Sequence, residues 1–228
     1  LSREDLGPPL PADDLVLRAA RALQQATGTA LGAHIGVHKR IPSQAGMGGG
    51  SSDAASCLLA LNRLWKTGLT QAQLAAIGLG LGADVPFFLF GRNAWAEGIG
   101  ESLQPVDLPP ARFLVVKPAQ GLETARIFQS PLLKRDSDRA TLSGFAADPY
   151  GFGRNDLQNV AQDLCADVAQ ALAWLRSTGA QGRMTGSGSA VFAPWHGTET
   201  PAAPEEWQVR VCSNMEAHPL AGWASSDD

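Results

Sequence analysis

The chain has 228 residues and a formal net charge of −4 at neutral pH, with 22 acidic and 18 basic side chains. No basic block appears, so nucleic acid and anionic membrane surfaces are disfavoured as partners. Hydrophobic residues make up 44% of the chain, which is enough to build the core of one large domain or two small ones. No apolar run reaches membrane-spanning length, and the sequence predicts a folded globular protein.

The cysteines and histidines do not form a metal-binding pattern. Cys57, Cys165 and Cys212 lie far apart and lack C-x-x-C spacing, which predicts reduced, buried thiols in a cytoplasmic protein. The four histidines are scattered, and we expect His34 and His38 to be side chains of a strand and not metal ligands.

The first half of the chain predicts alternating helices and short strands. In order, these are a loop over residues 1–12, a helix capped by Asp13 or Asp14 and ended by Gly28, a strand at Ile35 and Val37, a helix over 54–65, a short helix with a Thr70–Gln73 capping box, and a strand over 93–99.

The second half begins after a proline-rich stretch, 104–110, which is the predicted domain linker. The elements that follow are a strand over 112–117, a short helix capped by Thr124, a polar surface loop over 134–153, two consecutive helices from Asn155 to a stop at Gly179, a strand at 191–193 and another at 209–212.

A glycine-rich segment lies between an apolar strand and an apolar helix. Glycine lets the backbone approach a ligand closely, and a helix N-terminus offers free N–H groups to an anion. The segment therefore favours a phosphate cradle over the alternative, a flexible turn. It is not a Walker A loop, because Gly50 precedes Ser51 where that motif has Lys. Its residues are Pro42, Ser43, Gln44, Ala45, Gly46, Met47, Gly48, Gly49, Gly50, Ser51 and Ser52.

Asp84 is the second residue of interest, because it stands among Leu, Val and Phe side chains in the sequence. Asp followed shortly by Pro86 is an ordinary helix start, so one interpretation is a helix cap. The other is a catalytic carboxylate at a phosphate site, and spacing alone does not choose between them.

A second glycine-serine turn is formed by Gly186, Ser187 and Gly188. A strand pattern follows it, not a helix, so it is not a dinucleotide fingerprint. The turn either simply connects Met184 to Val191 or closes on the same ligand as the first glycine-rich segment.

Taken together, three ordered motifs resemble the galactokinase, homoserine kinase, mevalonate kinase and phosphomevalonate kinase superfamily. They are Lys39–Ala55, Leu81–Pro86 and Gly182–Phe192. With 61–65 and 96–100, the similarity points to the 4-diphosphocytidyl-2-C-methyl-D-erythritol kinase family of the non-mevalonate isoprenoid pathway. The resemblance implies an α+β fold with two domains and an ATP site in the cleft between them. The domains would be 1–107, like domain 2 of ribosomal protein S5, and 108–228, ferredoxin-like.

The resemblance also implies roles for individual residues. Residues 42–52 and the Gly186–Gly188 turn would bind ATP, and Asp84 would be the catalytic carboxylate. Lys39 would approach the substrate, and Phe128 would stack on its cytosine ring. Mg²⁺ would bridge phosphate oxygens, with Ser51 or Ser52 as possible ligands. The reaction would transfer the ATP γ-phosphoryl group to the 2-hydroxyl of the erythritol unit, a small-molecule substrate.

The sequence departs from that family most seriously in two motifs, and mildly at Ser43-Gln44-Ala45, where the family often has more glycine. The family opens with strands carrying a catalytic Lys beside a Lys-Leu-Asn motif, and a later Asp-Gly-Tyr-His segment holds the cytidine; neither is found here. We therefore expect a sheet with exposed edges. Two alternatives stay open: a related kinase acting on mevalonate, homoserine or a sugar, and a nucleotide-binding module without catalysis.

Overall fold

The computed structural model describes residues 1–226, which form two compact units. The first unit contains 1–40, 48–107 and the described residues from Met215; the second contains 41–47 and 108–214. Compared with the predicted ranges 1–107 and 108–228, residues 41–47 group with the second unit and the C-terminal segment with the first. The domain ranges stay a prediction. No helix within residues 1–226 is both long and apolar enough to cross a membrane.

The first unit is mainly helical. Its elements are β1 (Ser2–Asp5), α1 (Leu15–Thr27), β2 (His34–Val37), α2 (Gly49–Leu64), α3 (Gln71–Leu79), α4 (Val85–Phe90), β3 (Ala94–Glu97) and β4 (Ser102–Pro105). β1 and β2 pair in parallel, and β3 and β4 form an antiparallel hairpin.

Local signals set the helix ends in this unit. The Asp14 carboxylate accepts a hydrogen bond from Leu17 N–H at the start of α1, and Gly28 ends the helix in the left-handed conformation. Thr70 and Gln73 form the predicted capping box of α3. These predictions are confirmed. The apolar sides of the four helices then meet in one core, where Leu23, Leu58 and Leu74 are fully buried.

Three predictions for the first unit are wrong at their boundaries. Residues 1–12 are not all loop, because β1 pairs with β2 although its own sequence is polar. Helix α2 begins at Gly49, five residues before the predicted Ala54, because packing offsets the low helix propensity of glycine. The proposed linker begins inside β4, since Gln104 pairs with Trp95.

The second unit places helices against one antiparallel sheet. Its elements are β5 (Arg112–Lys117), α5 (Thr124–Phe128), α6 (Leu142–Ala147), α7 (Leu157–Leu164), α8 (Ala166–Ser177), β6 (Arg183–Met184), β7 (Val191–Pro194) and β8 (Gln208–Ser213). The strand order is β6-β7-β5-β8. Alternate residues of the central strand, Leu114 and Val116, are fully buried in the same core as Val168 and Leu172 of α8.

Two predictions for the second unit need correction. The predicted loop over 134–153 contains α6, whose Thr141 side chain caps Gly144 N–H. Thr124 does not cap α5: Glu123 occupies the cap position without a side-chain bond, and the Thr124 hydroxyl bonds to Ser187 instead.

The cysteines are all free, but only two of them are buried. Burial raises the pKa of the Cys57 thiol to about 12, and the nearby Asp14 charge adds to the shift. Cys212 is exposed, so its predicted burial is wrong. It lies on β8, the strand at the edge of the sheet next to β5, on the face opposite buried Val209.

Candidate nucleotide and phosphoryl-transfer site

Helix α2 begins within the glycine-rich segment. Gly48 is its N-cap residue in the left-handed conformation (φ 65°), and no side chain caps the helix. The first bond of the helix runs from Ser52 N–H to the Gly48 carbonyl at 2.9 Å. The N–H groups of the first turn, at residues 49–51, are therefore available to an acceptor from outside the helix. This is the geometry that binds phosphate oxygens.

Both the left-handed backbone conformation of Gly48 and the packing around it favour glycine at this position. A Cβ at this position would lie 2.9 Å from two ring carbons of Phe88 in α4. Phe88 thus packs directly against the start of α2. Asp84 precedes Phe88 by about one helical turn, which corresponds to roughly 6 Å along the helix axis. The packing brings the first turn of α4 towards the glycine-rich segment.

Asp84 occupies the N-cap position of α4, but its carboxylate makes no capping hydrogen bond. The residue is exposed. The Asp84 side chain therefore does not cap the helix, although its position in the sequence allows this role. An exposed carboxylate without a capping bond can accept a proton or a hydrogen bond from a bound alcohol.

Lys39 forms an ion pair with Asp53 in the second turn of α2. The Lys39 side chain is only 17% exposed, while that of Asp53 is 37% exposed. The pair holds an ammonium group beside the helix that begins with the glycine-rich segment. The substrate contact expected of Lys39 stays a prediction.

The first part of the glycine-rich segment packs inside the second unit against residues 185–190. Ser189 N–H donates to Gln44 O and Ala190 N–H to Ala45 O, both at 3.1 Å. The Thr185 hydroxyl donates to Gly46 O at 3.0 Å. The two glycine-containing segments that the sequence singled out are thus hydrogen-bonded to each other.

Backbone packing explains why glycine stands at both places. A Cβ on Gly46 would overlap Thr185 O and lie 2.5 Å from Gly188 N, and one on Gly186 would lie 2.7 Å from Gly46 O. Both residues also have positive φ, which side chains disfavour. Of the remaining residues of this part, Ala45 is buried while Ser43 and Gln44 are exposed.

Helix α5 presents Phe128 and is linked to the second glycine turn. Phe128 is 49% exposed, so its ring is available for stacking. The Thr124 and Ser187 hydroxyls are 2.7 Å apart. At the other end of the helix, Arg135 donates to the Phe128 carbonyl at 2.6 Å. The helix that carries Phe128 is therefore held at both ends.

Comparison with known proteins matches the chain to one kinase family. The GHMP kinases N terminal domain matches residues 14–92, and the GHMP kinases C terminal family matches residues 138–217. A 4-diphosphocytidyl-2-C-methyl-D-erythritol kinase from Albidiferax ferrireducens is 64% identical over the whole chain and 79% of its own length. One from Paracidovorax citrulli is 60% identical over the whole chain and 82% of its own length. The chain belongs to the GHMP kinase family.

Solved GHMP kinase structures show the same α+β fold. A crystal structure of 4-(cytidine 5'-diphospho)-2C-methyl-D-erythritol kinase superposes with a TM-score of 0.72 at 35% identity, over 86% of this chain and 73% of that chain. A homoserine kinase from Cytophaga hutchinsonii superposes with a TM-score of 0.65 at 16% identity, over 96% and 82% of the two chains. The second likeness bears on the fold alone.

Sequence reasoning missed three side chains of this GHMP kinase site. Thr185 lies inside the Gly182–Phe192 motif, so its position beside the glycines was a usable signal. Thr124 was assigned to helix capping, and no local signal points to Ser187, 63 residues away. Arg135 lies in a polar run and carried no signal, because its bond to Phe128 O depends on the folding of the chain.

The protein offers hydroxyl oxygens for a cation but no preformed cluster. Among residues 1–226, no group of three or more His, Cys, Asp or Glu side chains is placed to hold a metal ion. Ser51 and Ser52 stand in the first turn of α2 and are partly exposed. Such donors fit Mg²⁺ that takes most of its oxygens from phosphate and water, so the GHMP kinase chain is compatible with metal brought in by a nucleotide.

Proposed function

We propose that the protein transfers the γ-phosphoryl group of ATP to the 2-hydroxyl of 4-diphosphocytidyl-2-C-methyl-D-erythritol. The observation that carries the proposal is the uncapped start of α2 at Gly48, within a family of ATP-dependent kinases. The names of the relatives, at 57–64% identity, supply the acceptor.

The phosphates of ATP bind to the backbone of residues 42–52. The free N–H groups at the start of α2 donate to phosphate oxygens, and the positive end of the helix dipole adds to the attraction. Fixed donors of this kind stabilise the charge that develops in phosphoryl transfer, for which positioning matters more than covalent chemistry. Ser189 and Ala190, which directly follow the Gly186–Gly188 turn, support the first part of the same segment through their backbone bonds to Gln44 and Ala45.

Asp84 receives the proton of the attacking 2-hydroxyl, or orients that hydroxyl by accepting its hydrogen bond. Its exposure and the lack of a capping bond leave the carboxylate available for this role. General-base assistance of this type contributes about 10²- to 10⁴-fold in rate. Asp84 is the catalytic residue in this proposal.

Lys39 and Phe128 bind the acceptor. The half-exposed ring of Phe128 stacks on the cytosine base, and its helix is fixed by Thr124 and Arg135. Lys39 supplies positive charge near the substrate while Asp53 orients its ammonium group. The diphosphate of the acceptor contains two negatively charged phosphate groups, and an ammonium group can bind them by charge-assisted hydrogen bonds.

Ser51 or Ser52 would contribute a hydroxyl ligand to Mg²⁺ that enters with ATP. When bound, the metal neutralises charge on the phosphate oxygens. The protein's own part is to hold the nucleotide by its backbone and to present Asp84 to the acceptor.

The decisive experiment is a coupled ADP-release assay of the full-length gene product with three acceptors in parallel. We expect turnover with 4-diphosphocytidyl-2-C-methyl-D-erythritol and none with mevalonate or homoserine, and phosphorus NMR should place the new phosphate on the 2-oxygen. Turnover with mevalonate or homoserine alone would assign a related kinase. Nucleotide binding without turnover of any acceptor would leave only a nucleotide-binding module.

A further inference from the structure

A buried lysine stands at the end of the central strand of the second unit. Lys117 is the last residue of β5 and is 7% exposed. Its ammonium group donates to Pro118 O at 2.5 Å and to Gln120 O at 3.2 Å. Burial lowers the pKa of Lys117, while the nearby Cys165 and Asp167 act in the opposite direction. The ammonium group is therefore bound by backbone carbonyls of the turn that directly follows the strand.

The same turn is tied to the second glycine-containing segment. The Ser189 hydroxyl donates to Gln120 O at 2.6 Å, so this carbonyl accepts from both Lys117 and Ser189. Gln120 N–H donates to Asp167 Oδ2 at 3.1 Å. The turn thus joins β5, the start of α8 and residue 189.

The turn also lies against the phosphate-binding segment. A Cβ built on Gly121 would lie 2.8 Å from Gln44 Cβ, so the backbone of the turn packs closely on Gln44. Gln44 has a positive φ of 53°, which is unusual for a residue with a side chain. Its carbonyl accepts from Ser189 N–H. Gln44 is held in this backbone conformation from two sides, by Gly121 and by Ser189.

We propose that Lys117 is a positioning residue for nucleotide binding: through Gln120 O and Ser189, it fixes the backbone of Gln44 and Ala45 at the start of the phosphate-binding segment. This inference rests on the proposed function, in which residues 42–52 bind ATP. No contact between Lys117 and a ligand is required.

The chemistry favours this role over plain packing. An apolar side chain would fill the space without binding either carbonyl. The buried bond to Pro118 O would be lost, and Gln120 O would keep only the Ser189 hydroxyl as a donor; loss of a donor to a buried carbonyl is costly. The ammonium group can donate to several carbonyls at once, because it carries three hydrogens. Loss of Lys117 should therefore release the turn and, through Gln120 O, the Ser189 hydroxyl. Asp167 would still hold Gln120 N–H, so the turn should loosen without unfolding the unit.

The test compares Lys117→Met, Ser189→Ala and the double variant with the wild-type protein. The matched control is Lys134→Met, which removes the same charge from a side chain of the same unit that is 56% exposed. Two measurements are made on the full-length protein. Hydrogen exchange reports the Ser189 and Ala190 amides, which donate to Gln44 and Ala45, and calorimetry reports the Kd for ADP.

We expect Lys117→Met and Ser189→Ala each to speed exchange of these two amides and to weaken ADP binding by about tenfold, the effect of one lost hydrogen bond. The KM for the cytidyl acceptor should not change. The double variant should be no worse than Lys117→Met, because both changes act through Gln120 O. Lys134→Met should behave as wild type.

Unchanged exchange, unchanged ADP affinity, or additive effects in the double variant would overturn the positioning role. If Lys117→Met fails to fold, Ser189→Ala alone decides: wild-type exchange and affinity in that variant would reject the link. A wild-type protein that does not bind ADP would instead reject the proposed function, while the exchange data would still show whether Lys117 fixes the segment.

Discussion

Two regions of this GHMP kinase use their polar groups in opposite ways. The open region consists of Gly48–Ser52 and Asp84, and its helix start and carboxylate lack capping partners among residues 1–226. The seam consists of residues 44–46 and 185–190, where backbone N–H groups and the Thr185 hydroxyl donate to backbone carbonyls of the other segment. Unused donors and acceptors are available to a ligand, whereas used ones position the chain. Changes in the open region should therefore alter chemistry, and changes in the seam should first alter stability.

The largest effect is expected for Asp84→Asn in the open region. The amide keeps the shape of the side chain but cannot take a proton, so kcat should fall by about 100-fold or more. The thermal unfolding midpoint should not change, because the carboxylate makes no capping bond. Steady-state kinetics and a melting curve check both points, with exposed Asp163→Asn as the control. Near-normal turnover would remove Asp84 from the mechanism.

Gly46→Ala tests the seam. The added methyl group would overlap Thr185 O and is strained at φ 65°, so the second unit should lose between about 1 and 3 kcal/mol of stability. Urea unfolding followed by tryptophan fluorescence measures the loss. Gly32→Ala is the matched control, since a Cβ there meets nothing within 4 Å. Equal stability of the two variants would show that the backbone contact between 46 and 185 is not tight.

Phe128→Ala examines an exposed side chain on a helix that the seam supports. Loss of one stacked base costs about 1–3 kcal/mol, so the KM for the cytidyl acceptor should rise about tenfold while the KM for ATP is unchanged. Initial-rate kinetics with each substrate varied in turn make the distinction. Leu132→Ala removes another exposed apolar side chain (68% exposed) and should have no effect. A change in ATP affinity alone would contradict the stacking role.

Gly50→Ala should give the smallest effect and the sharpest contrast with Gly46→Ala. A Cβ at this position would make only an ordinary 3.4 Å contact with Leu15, and alanine favours the helix by up to about 1 kcal/mol. Stability should stay the same or rise, while ADP binding weakens about threefold as the methyl group crowds the phosphates. Titration calorimetry and melting curves check the two halves of this prediction. Unchanged ADP affinity would indicate that phosphate does not approach Gly50.

Local patterns predicted most helices and the order of the motifs. The caps at Asp14 and Gly28 and the Thr70–Gln73 box are short-range interactions, so they can be read from a few neighbouring residues. Strand β5 was predicted with its actual bounds because its apolar run is bordered by prolines. Strand β1 was missed because its polar sequence gains its conformation only by pairing with β2.

The candidate site was likewise predicted where it depends on contiguous residues and missed where it depends on distant ones. The sequence by itself determined where glycine, serine and Asp84 occur and which kinase family they resemble, because such motifs are contiguous. Only the tertiary structure decided that Asp84 makes no capping bond, that Thr124 bonds to Ser187, and that Lys117 and Ser189 share Gln120 O. These contacts join residues up to 69 positions apart, and their partners are selected by packing of the folded chain, which no local pattern records.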